Sequence, residues 1–377
     1  MRVLITGGGT GGHINPAIAI AQCFLSIDPN TELLYAGTPT GMEARLVKEA
    51  KIPFAPIKVK GFWRSFSPSA IAHNAQAAVE AVTSKKRAKE IIRDFKPDIV
   101  IGTGGYVSGP VVLAAAKAGI ACGIHEQNAF PGVTNRLLAK QVDRVFLAVG
   151  EAKTHLDPHA NYMVVGNPVR ESVLKKSKAE ARRELGLDDR MCILSFGGSL
   201  GADTINKIAV DLMEWNYRAG LVSHIHGYGR LGKEKFPAWI KERGINLKDN
   251  KSIRVSEYID NMDTCMAAAD LVICRAGAIT ISEIEATAKA SILVPSPNVT
   301  ANHQFHNANV LAKQNAAILL EEKDYSKEKV LSIVEELYTD RVRLNEIAQN
   351  AGALAITDTA QRICREMISV YKAKKRA

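Results

Sequence analysis

The chain has 377 residues, 46% of them hydrophobic, which is enough apolar material for two ordinary domains with separate cores. A charged share of 23% and the lack of any apolar run long enough to cross a bilayer set aside wholesale disorder and a membrane-spanning chain. The formal net charge of +10 favours anionic company: phosphates, nucleotides, an anionic membrane surface or nucleic acid.

Taken in chain order, Arg2-Val3-Leu4-Ile5-Thr6 predicts a strand that empties into Gly7-Gly8-Gly9-Thr10-Gly11-Gly12-His13. Met1 to Thr6 leaves no room for a secretory apolar region, so any membrane contact is expected from the cytosolic side. Asn15 is expected to cap the next helix, with Pro16 at its first position. Glu32 to Ala36 predicts a second strand. The stretch Lys60-Gly61-Phe62-Trp63-Arg64-Ser65-Phe66 precedes a helical region that is expected to end at Lys85-Lys86-Arg87-Ala88-Lys89. Exposed aromatics beside a basic cluster suit docking on anionic lipid; a packed aromatic corner and a solvated helix face suit the same residues.

Pro97 to Ile101 predicts another strand, and it too runs into glycines, Gly102-Thr103-Gly104-Gly105-Tyr106. The pattern pauses at Val164-Val165-Gly166-Asn167-Pro168 and then restarts. Met191 to Phe196 leads into Gly197-Gly198-Ser199-Leu200-Gly201, and Asp270 to Cys274 leads into Arg275-Ala276-Gly277-Ala278. The reading is α/β, with two Rossmann-like domains facing across a cleft: residues 1–166, residues 167–354, and a helix at about 355–377 packing back on the first. The six cysteines, Cys23, Cys122, Cys192, Cys265, Cys274 and Cys364, lack metal-ligand spacing and read as buried apolar groups in a reducing compartment.

A strand that ends in small residues and opens a helix brings backbone N–H groups close to an anion, and the helix dipole adds to the attraction. Glycine suits this because larger side chains would hold phosphate oxygens away. Tight strand–helix turns would need the same glycines, but several such loops in step with strands favour phosphate binding. Gly7-x-Gly9-x-x-Gly12 also matches the dinucleotide fingerprint, which wants an acid at the end of the second strand. That strand ends Tyr35-Ala36-Gly37-Thr38, so a nicotinamide dehydrogenase is disfavoured. Thr280-Ile281-Ser282-Glu283 reads either as a capping box or as a helix start that offers Glu283 to a ribose diol.

Several segments occur in a fixed order: Gly8-Gly9-Thr10-Gly11-Gly12-His13-x-x-Pro16-Ala17, the run Gly102 to Pro110, His125-Glu126-Gln127-Asn128-Ala129, Gly197-Gly198-Ser199, Arg275-Ala276-Gly277-Ala278 and Asn302-His303-Gln304-x-x-Asn307-Ala308. Together, from Met1 to about Leu311, they resemble the MurG family, bacterial N-acetylglucosamine (GlcNAc) transferases of the lipid-linked stage of peptidoglycan synthesis. The resemblance implies a GT-B fold, with UDP-GlcNAc mainly in the second domain and a lipid-linked acceptor mainly in the first. It implies transfer of GlcNAc, with inversion, to the 4-hydroxyl of undecaprenyl-pyrophosphoryl-MurNAc-pentapeptide (lipid I), giving lipid II. It also implies a peripheral place on the cytoplasmic side of the cell membrane, with roles in cell-wall biogenesis, cell shape and division.

The resemblance implies donor contacts at Thr10, Gly11, Gly12, Asn128, Arg170, Ser199, Ile259, the run Ala278-Ile279-Thr280-Ile281-Ser282-Glu283, and Gln304. Arg170 would sit near the base, Ile259 would meet uracil through its backbone, and Glu283 would hold the ribose. Tyr106 and Asn135 would orient the acceptor, and Asn206 would support the diphosphate loop. No Asp-x-Asp pair occurs, so helix N-termini and loop amides, helped by Arg275 or Arg170, are expected to hold the leaving diphosphate without metal or cofactor. His13 is the leading candidate for the base that takes the acceptor proton, with Glu126 or His125 as fallbacks; a phosphate-binding role for His13 is the alternative.

The chain departs from the family pattern at Leu200, where glutamine is common, and at Ala288 and Ala290, where glycine and proline are frequent. Rival readings are a UDP-GlcNAc 2-epimerase, the dehydrogenase, and a non-catalytic UDP-GlcNAc-binding module. The partners expected are UDP-GlcNAc, lipid I and an anionic membrane surface met through Phe62, Trp63, Phe66 and the Lys85 to Lys89 region. Dispersed charge argues against nucleic acid.

Overall fold

The computed structural model describes residues 1–61, 67–248 and 250–376. The chain divides into two compact units, Met1–Pro168 together with Thr357–Ala377, and Val169–Ile356.

The first unit is built on β1 (Arg2–Thr6), β2 (Glu32–Gly37), β3 (Phe54–Pro56), β4 (Ile99–Gly102), β5 (Ala121–Glu126), β6 (Arg144–Leu147) and β7 (Tyr162–Val164). These form one parallel sheet in the order β3-β2-β1-β4-β5-β6-β7. Alternation along the strands feeds two faces. Val3, Ile5, Ile99 and Ile101 pack under helices Gly11–Ile27 and Thr359–Arg376, while Leu4, Val100, Cys122 and Ile124 pack on the other side with Val111, Val112 and Ile91. Each such side chain, wholly withdrawn from water, contributes about 1.5–3 kcal/mol.

Helix Thr359–Arg376 is tied to this unit at both ends. Thr359 Oγ1 donates to the Val165 carbonyl at 2.6 Å, Lys374 meets Asp143 at 2.8 Å, and Ile363, Cys364 and Met367 are buried between. The basic segment Lys372–Arg376 is therefore the last turn of a helix.

The second unit carries β8 (Met191–Phe196), β9 (Val222–Gly227), β10 (Ile253–Ser256), β11 (Leu271–Cys274), β12 (Ala290–Leu293) and β13 (Ile318–Leu319), again all parallel, in the order β10-β9-β8-β11-β12-β13. In both sheets the chain starts at the centre, moves outward one way, then crosses back to the other side. The strand order therefore reverses between β1 and β4 and between β8 and β11, and a crevice opens at the carboxyl ends there. All four glycine segments of the sequence follow these four strands.

Three local expectations are corrected. The first helix begins at Gly11 after Thr10, so Asn15 is not its cap and Pro16 lies inside it. Helix Pro68–Phe95 continues past the Lys85–Lys89 cluster and stops only at Lys96, whose φ of 49° is left-handed. Helix Ala278–Ala286 starts after Gly277, which has no side chain to cap with, so Thr280 and Glu283 do not form a capping box.

Candidate active site

The loops after β1 and β4 are pressed together backbone to backbone. The Gly8 amide donates to the Gly104 carbonyl at 3.3 Å, and a Cβ on Gly105 would stand 2.3 Å from the Gly8 carbonyl oxygen. Gly9 and Gly104 have φ of +87° and +104°, which glycine adopts without strain. Beneath the first loop lies Glu43, buried, accepting from the amides of Gly9 at 3.3 Å and Thr38 at 3.1 Å. Sequence reasoning sought an acid at the strand end and missed this one, which comes from helix Met42–Glu49. Thr10 has no side-chain bond capping the helix, so the first amides of Gly11–Ile27 are available to an anion.

His13 sits in that first turn, half-buried. Its Nδ1 lies 3.0 Å from Gln127 Oε1, and its carbonyl accepts from Thr103 Oγ1 at 2.7 Å. The ring rests on Gly104, where any Cβ would come within 2.8 Å of Nδ1. The ring is thus held in place from two sides, as a candidate general base must be.

The two fallback bases are corrected. His125 is fully buried, bonds to the Gly166 carbonyl at 2.9 Å, and burial pushes it down to about 4. Glu126, 1% exposed, accepts from the Asn128 and Gly132 amides at 3.0 Å each, from Asn128 Nδ2 at 3.2 Å and from Asn135 Nδ2 at 2.8 Å. Four donors on a buried carboxyl group make it a tie for the loop that follows β5. Asn135 is corrected with it: the side chain is buried, donating to Glu126 and the His125 carbonyl, so it shapes the loop and does not face solvent. Tyr106, by contrast, is 58% exposed at the rim of the β4 loop.

In the second unit, Gly198 and Gly201 have φ of +86° and +84°. A Cβ on Gly201 would strike the Tyr228 carbonyl oxygen at 2.2 Å, so this loop is seated directly on the loop after β9. Asn206 supports that seat: buried, it donates to the Tyr228 carbonyl at 3.0 Å and meets His226 at 3.2 Å. Ser199 and Leu200 are exposed on top of the loop. Ile259 is buried, its side chain against Gly227.

Helix Ala278–Ala286 opens beside this loop's neighbour strand β11. Ala278, Ile279 and Thr280 are half-buried, whereas Ile281 and Ser282 turn inward. Glu283 accepts from Arg170 Nε at 2.8 Å; the carboxylate is 8% exposed and the guanidinium 53%. Gln304 accepts from the Ser296 amide at 2.8 Å. Arg275 is corrected as a diphosphate partner: its guanidinium is spent on the Val294 and Pro295 carbonyls at 3.1 and 3.2 Å and on Glu322. Of the two arginines, Arg170 keeps an exposed guanidinium.

Phe62, Trp63 and Phe66 lie outside the described residues. On the helix that follows, Ile71, Val79 and Val82 are 61–69% exposed at helical spacing, and Lys85, Lys86 and Lys89 are exposed beyond them. This apolar stripe was missed in the sequence because short aliphatics at that spacing also describe a buried face. A cavity of about 580 Å³ lined by Asp143, Arg144, Asp157, His159 and Lys374 opens at the start of β6, the end of the sheet away from the glycine loops. Among the described residues no helix is long and apolar enough to cross a membrane, and no three His, Cys, Asp or Glu side chains gather as metal ligands.

Comparison with known proteins agrees with this arrangement. Residues 3–147 match the glycosyltransferase family 28 N-terminal domain and residues 192–363 the family 28 C-terminal domain. The UDP-N-acetylglucosamine–N-acetylmuramyl-(pentapeptide) pyrophosphoryl-undecaprenol N-acetylglucosamine transferase of Acetivibrio thermocellus is 41% identical over 375 residues, 99% of both chains. Its namesake from Caldanaerobacter subterraneus is 41% identical over 366 residues, 96% of this chain and 98% of that one. The crystal structure of Acinetobacter baumannii MurG superposes with a TM-score of 0.78 at 29% identity, covering 98% of this chain and 99% of that one. Two parallel Rossmann-like sheets with glycine loops at both switch points, joined to a likeness that runs nearly end to end, place the chain in glycosyltransferase family 28 and within it in the MurG family of UDP-sugar transferases.

Proposed function

We propose that the protein transfers GlcNAc from UDP-GlcNAc to the 4-hydroxyl of MurNAc in undecaprenyl-pyrophosphoryl-MurNAc-pentapeptide, with inversion and without metal. The observation that carries this reading is the near-full-length likeness to relatives bearing that activity, 41% identical over 375 residues. The geometry of each unit supports the division of labour.

The second unit takes the donor. Amides of the Gly197–Gly201 loop and Ser199 hold the diphosphate, Glu283 accepts from the ribose hydroxyls, and Arg170 shifts from the carboxylate toward the nucleotide. Ile259, Gln304 and the start of helix Ala278–Ala286 frame the uridine and the sugar. The first unit takes the acceptor, which Tyr106 helps to orient, while the open helix start at Thr10-Gly11-Gly12 and Asn128 add donor contacts. The acceptor 4-oxygen forms a bond to the anomeric carbon while the bond from that carbon to the β-phosphate oxygen breaks. The hydroxyl proton passes to His13 Nε2, and UDP leaves as an anion held by backbone amides.

The lipid acceptor calls for membrane proximity. The stripe Ile71, Val79, Val82 followed by Lys85, Lys86 and Lys89 suits docking on the cytoplasmic leaflet of an anionic membrane, each lysine contributing about 1 kcal/mol near the surface. The test is incubation with labelled UDP-GlcNAc, with and without a lipid I analogue. Label entering lipid only when acceptor is present, at the same rate in EDTA, is the expected result. Epimerised sugar released without acceptor would overturn the reading, and loss of transfer in EDTA would overturn its metal-free part.

A further inference from the structure

Gln127 stands inside a buried polar chain that the proposed chemistry leaves unexplained. Its Nε2 lies 2.8 Å from the Thr103 carbonyl, 3.1 Å from the His125 carbonyl and 3.0 Å from His125 Nδ1. Backbone carbonyls only accept, so the amide nitrogen must face these two and the amide cannot be flipped without setting oxygen against oxygen. Gln127 Oε1 is thereby aimed at His13 Nδ1, 3.0 Å away, and a carbonyl oxygen there demands a donor. His125 agrees from the other side. Its Nε2–H donates to the Gly166 carbonyl at 2.9 Å, which leaves Nδ1 as a lone pair facing the amide N–H of Gln127.

From this geometry we infer that Gln127 is a positioning residue for the reaction: its locked amide holds His13 as the Nδ1–H tautomer, so that the lone pair sits on Nε2. The inference rests on the reading of His13 as base. It assigns a purpose to a residue that is almost wholly buried. With Gln127 2% exposed and the His13 ring resting on Gly104, the tautomer is set before any acceptor arrives. When Nε2 takes the proton, the Nδ1–H bond to Gln127 persists, so the ring keeps its orientation through the transfer.

The test is nitrogen NMR on the whole protein with labelled histidine, His13 being assigned among the nine by its loss in His13→Asn. The result expected is a protonated, pyrrole-like Nδ1 and an unprotonated, pyridine-like Nε2 for His13. Gln127→Met should erase that preference and lower kcat about ten- to a hundredfold with KM for both substrates little changed. Gln127→Glu, which keeps an oxygen toward His13 and can carry a proton toward the two carbonyls, should restore both the tautomer and most of kcat. A protonated Nε2 in the unaltered protein would overturn the inference, as would a Gln127→Met protein that keeps the Nδ1–H signal. Undiminished turnover in His13→Ala would instead sink the base, and with it the catalytic use of the tautomer. The nitrogen shifts alone decide whether Gln127 sets it.

Discussion

At the scale of single residues, the proposed chemistry rests on how His13 and Glu283 are held. His13 is gripped through its ring by Gln127 and through its carbonyl by Thr103. Positioned general bases contribute about 10²–10⁴-fold, so His13→Ala should lower kcat by that factor while KM for UDP-GlcNAc changes little, read by steady-state kinetics. Glu283 is paired with Arg170 at 2.8 Å and nearly buried. Charge-assisted bonds are worth about 1.5–3 kcal/mol, so Glu283→Gln should raise KM for the donor by about tenfold or more. A variant that kept KM and lost only kcat would speak against a ribose contact. His13 was legible as a candidate because a glycine loop advertises it, whereas Ser199 and Glu283 gained their roles from the family resemblance, since the helix start at Thr280 reads equally as a cap. Gln127 and Glu43 were not: each acts through a partner far away in sequence, and only the fold brings position 127 to position 13 and position 43 to position 9.

At the scale of elements, the turn after helix Ala278–Ala286 carries a departure from the family pattern with a visible cost. Ala288 is forced to φ +48°, in the left-handed region that glycine adopts more readily. Ala288→Gly should raise stability by up to about 1 kcal/mol, read as an increased urea midpoint with unchanged slope. The neighbouring helix is close enough that the reverse change is costly: a Cβ on Gly352 would come within 2.9 Å of the Ala288 Cβ, so Gly352→Ala should destabilise.

Strand β9 makes a second prediction, for pH. Burial pushes His224 and His226 down to about 3, so both are neutral in the fold where unfolded imidazoles titrate near 6.5. Between about pH 6.5 and 3 the unfolded chain binds the extra protons, and stability falls as pH falls through that window. Glu285 works the other way. Burial raises it to about 8 from 4.5, so the fold keeps a proton the unfolded chain has lost, and stability falls as pH rises toward 8. Two histidines outweigh one carboxyl below about pH 6.5, and the carboxyl acts alone above it. The urea midpoint of the second unit, followed through Trp215 and Trp239, should therefore be highest near pH 6.5 and decline on either side, by about 1.4 kcal/mol per pH unit for each net proton. A midpoint that rises on going to pH 5 would contradict this.

At the scale of the whole molecule, two doubly wound sheets repeat one device. Each places a pair of glycine segments at the carboxyl ends of the strands that flank its switch point. That much was readable from the alternation of short β-branched runs, small-residue turns and helical stretches, since β1, β2 and β8 emerge almost residue for residue. Helix ends were less legible: Gly11–Ile27 opens on two glycines, which intrinsic propensity disfavours in a helix, and nothing in the sequence stops Pro68–Phe95 before Lys96. The proposed membrane face is also a property of the whole chain. Replacing Ile71, Val79 and Val82 with serine should cut sedimentation with anionic vesicles while leaving transfer to a soluble, short-chain lipid I analogue intact. Loss of both would point to a folding defect in place of a docking face.

The glycine loops and helix starts are the proposed grips for pyrophosphate, and a crystal structure with UDP-GlcNAc bound tests that directly. The expected density puts the diphosphate on the Gly197–Gly201 amides and Ser199, with the ribose hydroxyls on Glu283 and Arg170 drawn off its carboxylate. UDP lodged away from that loop, with the Arg170–Glu283 pair undisturbed, would contradict it.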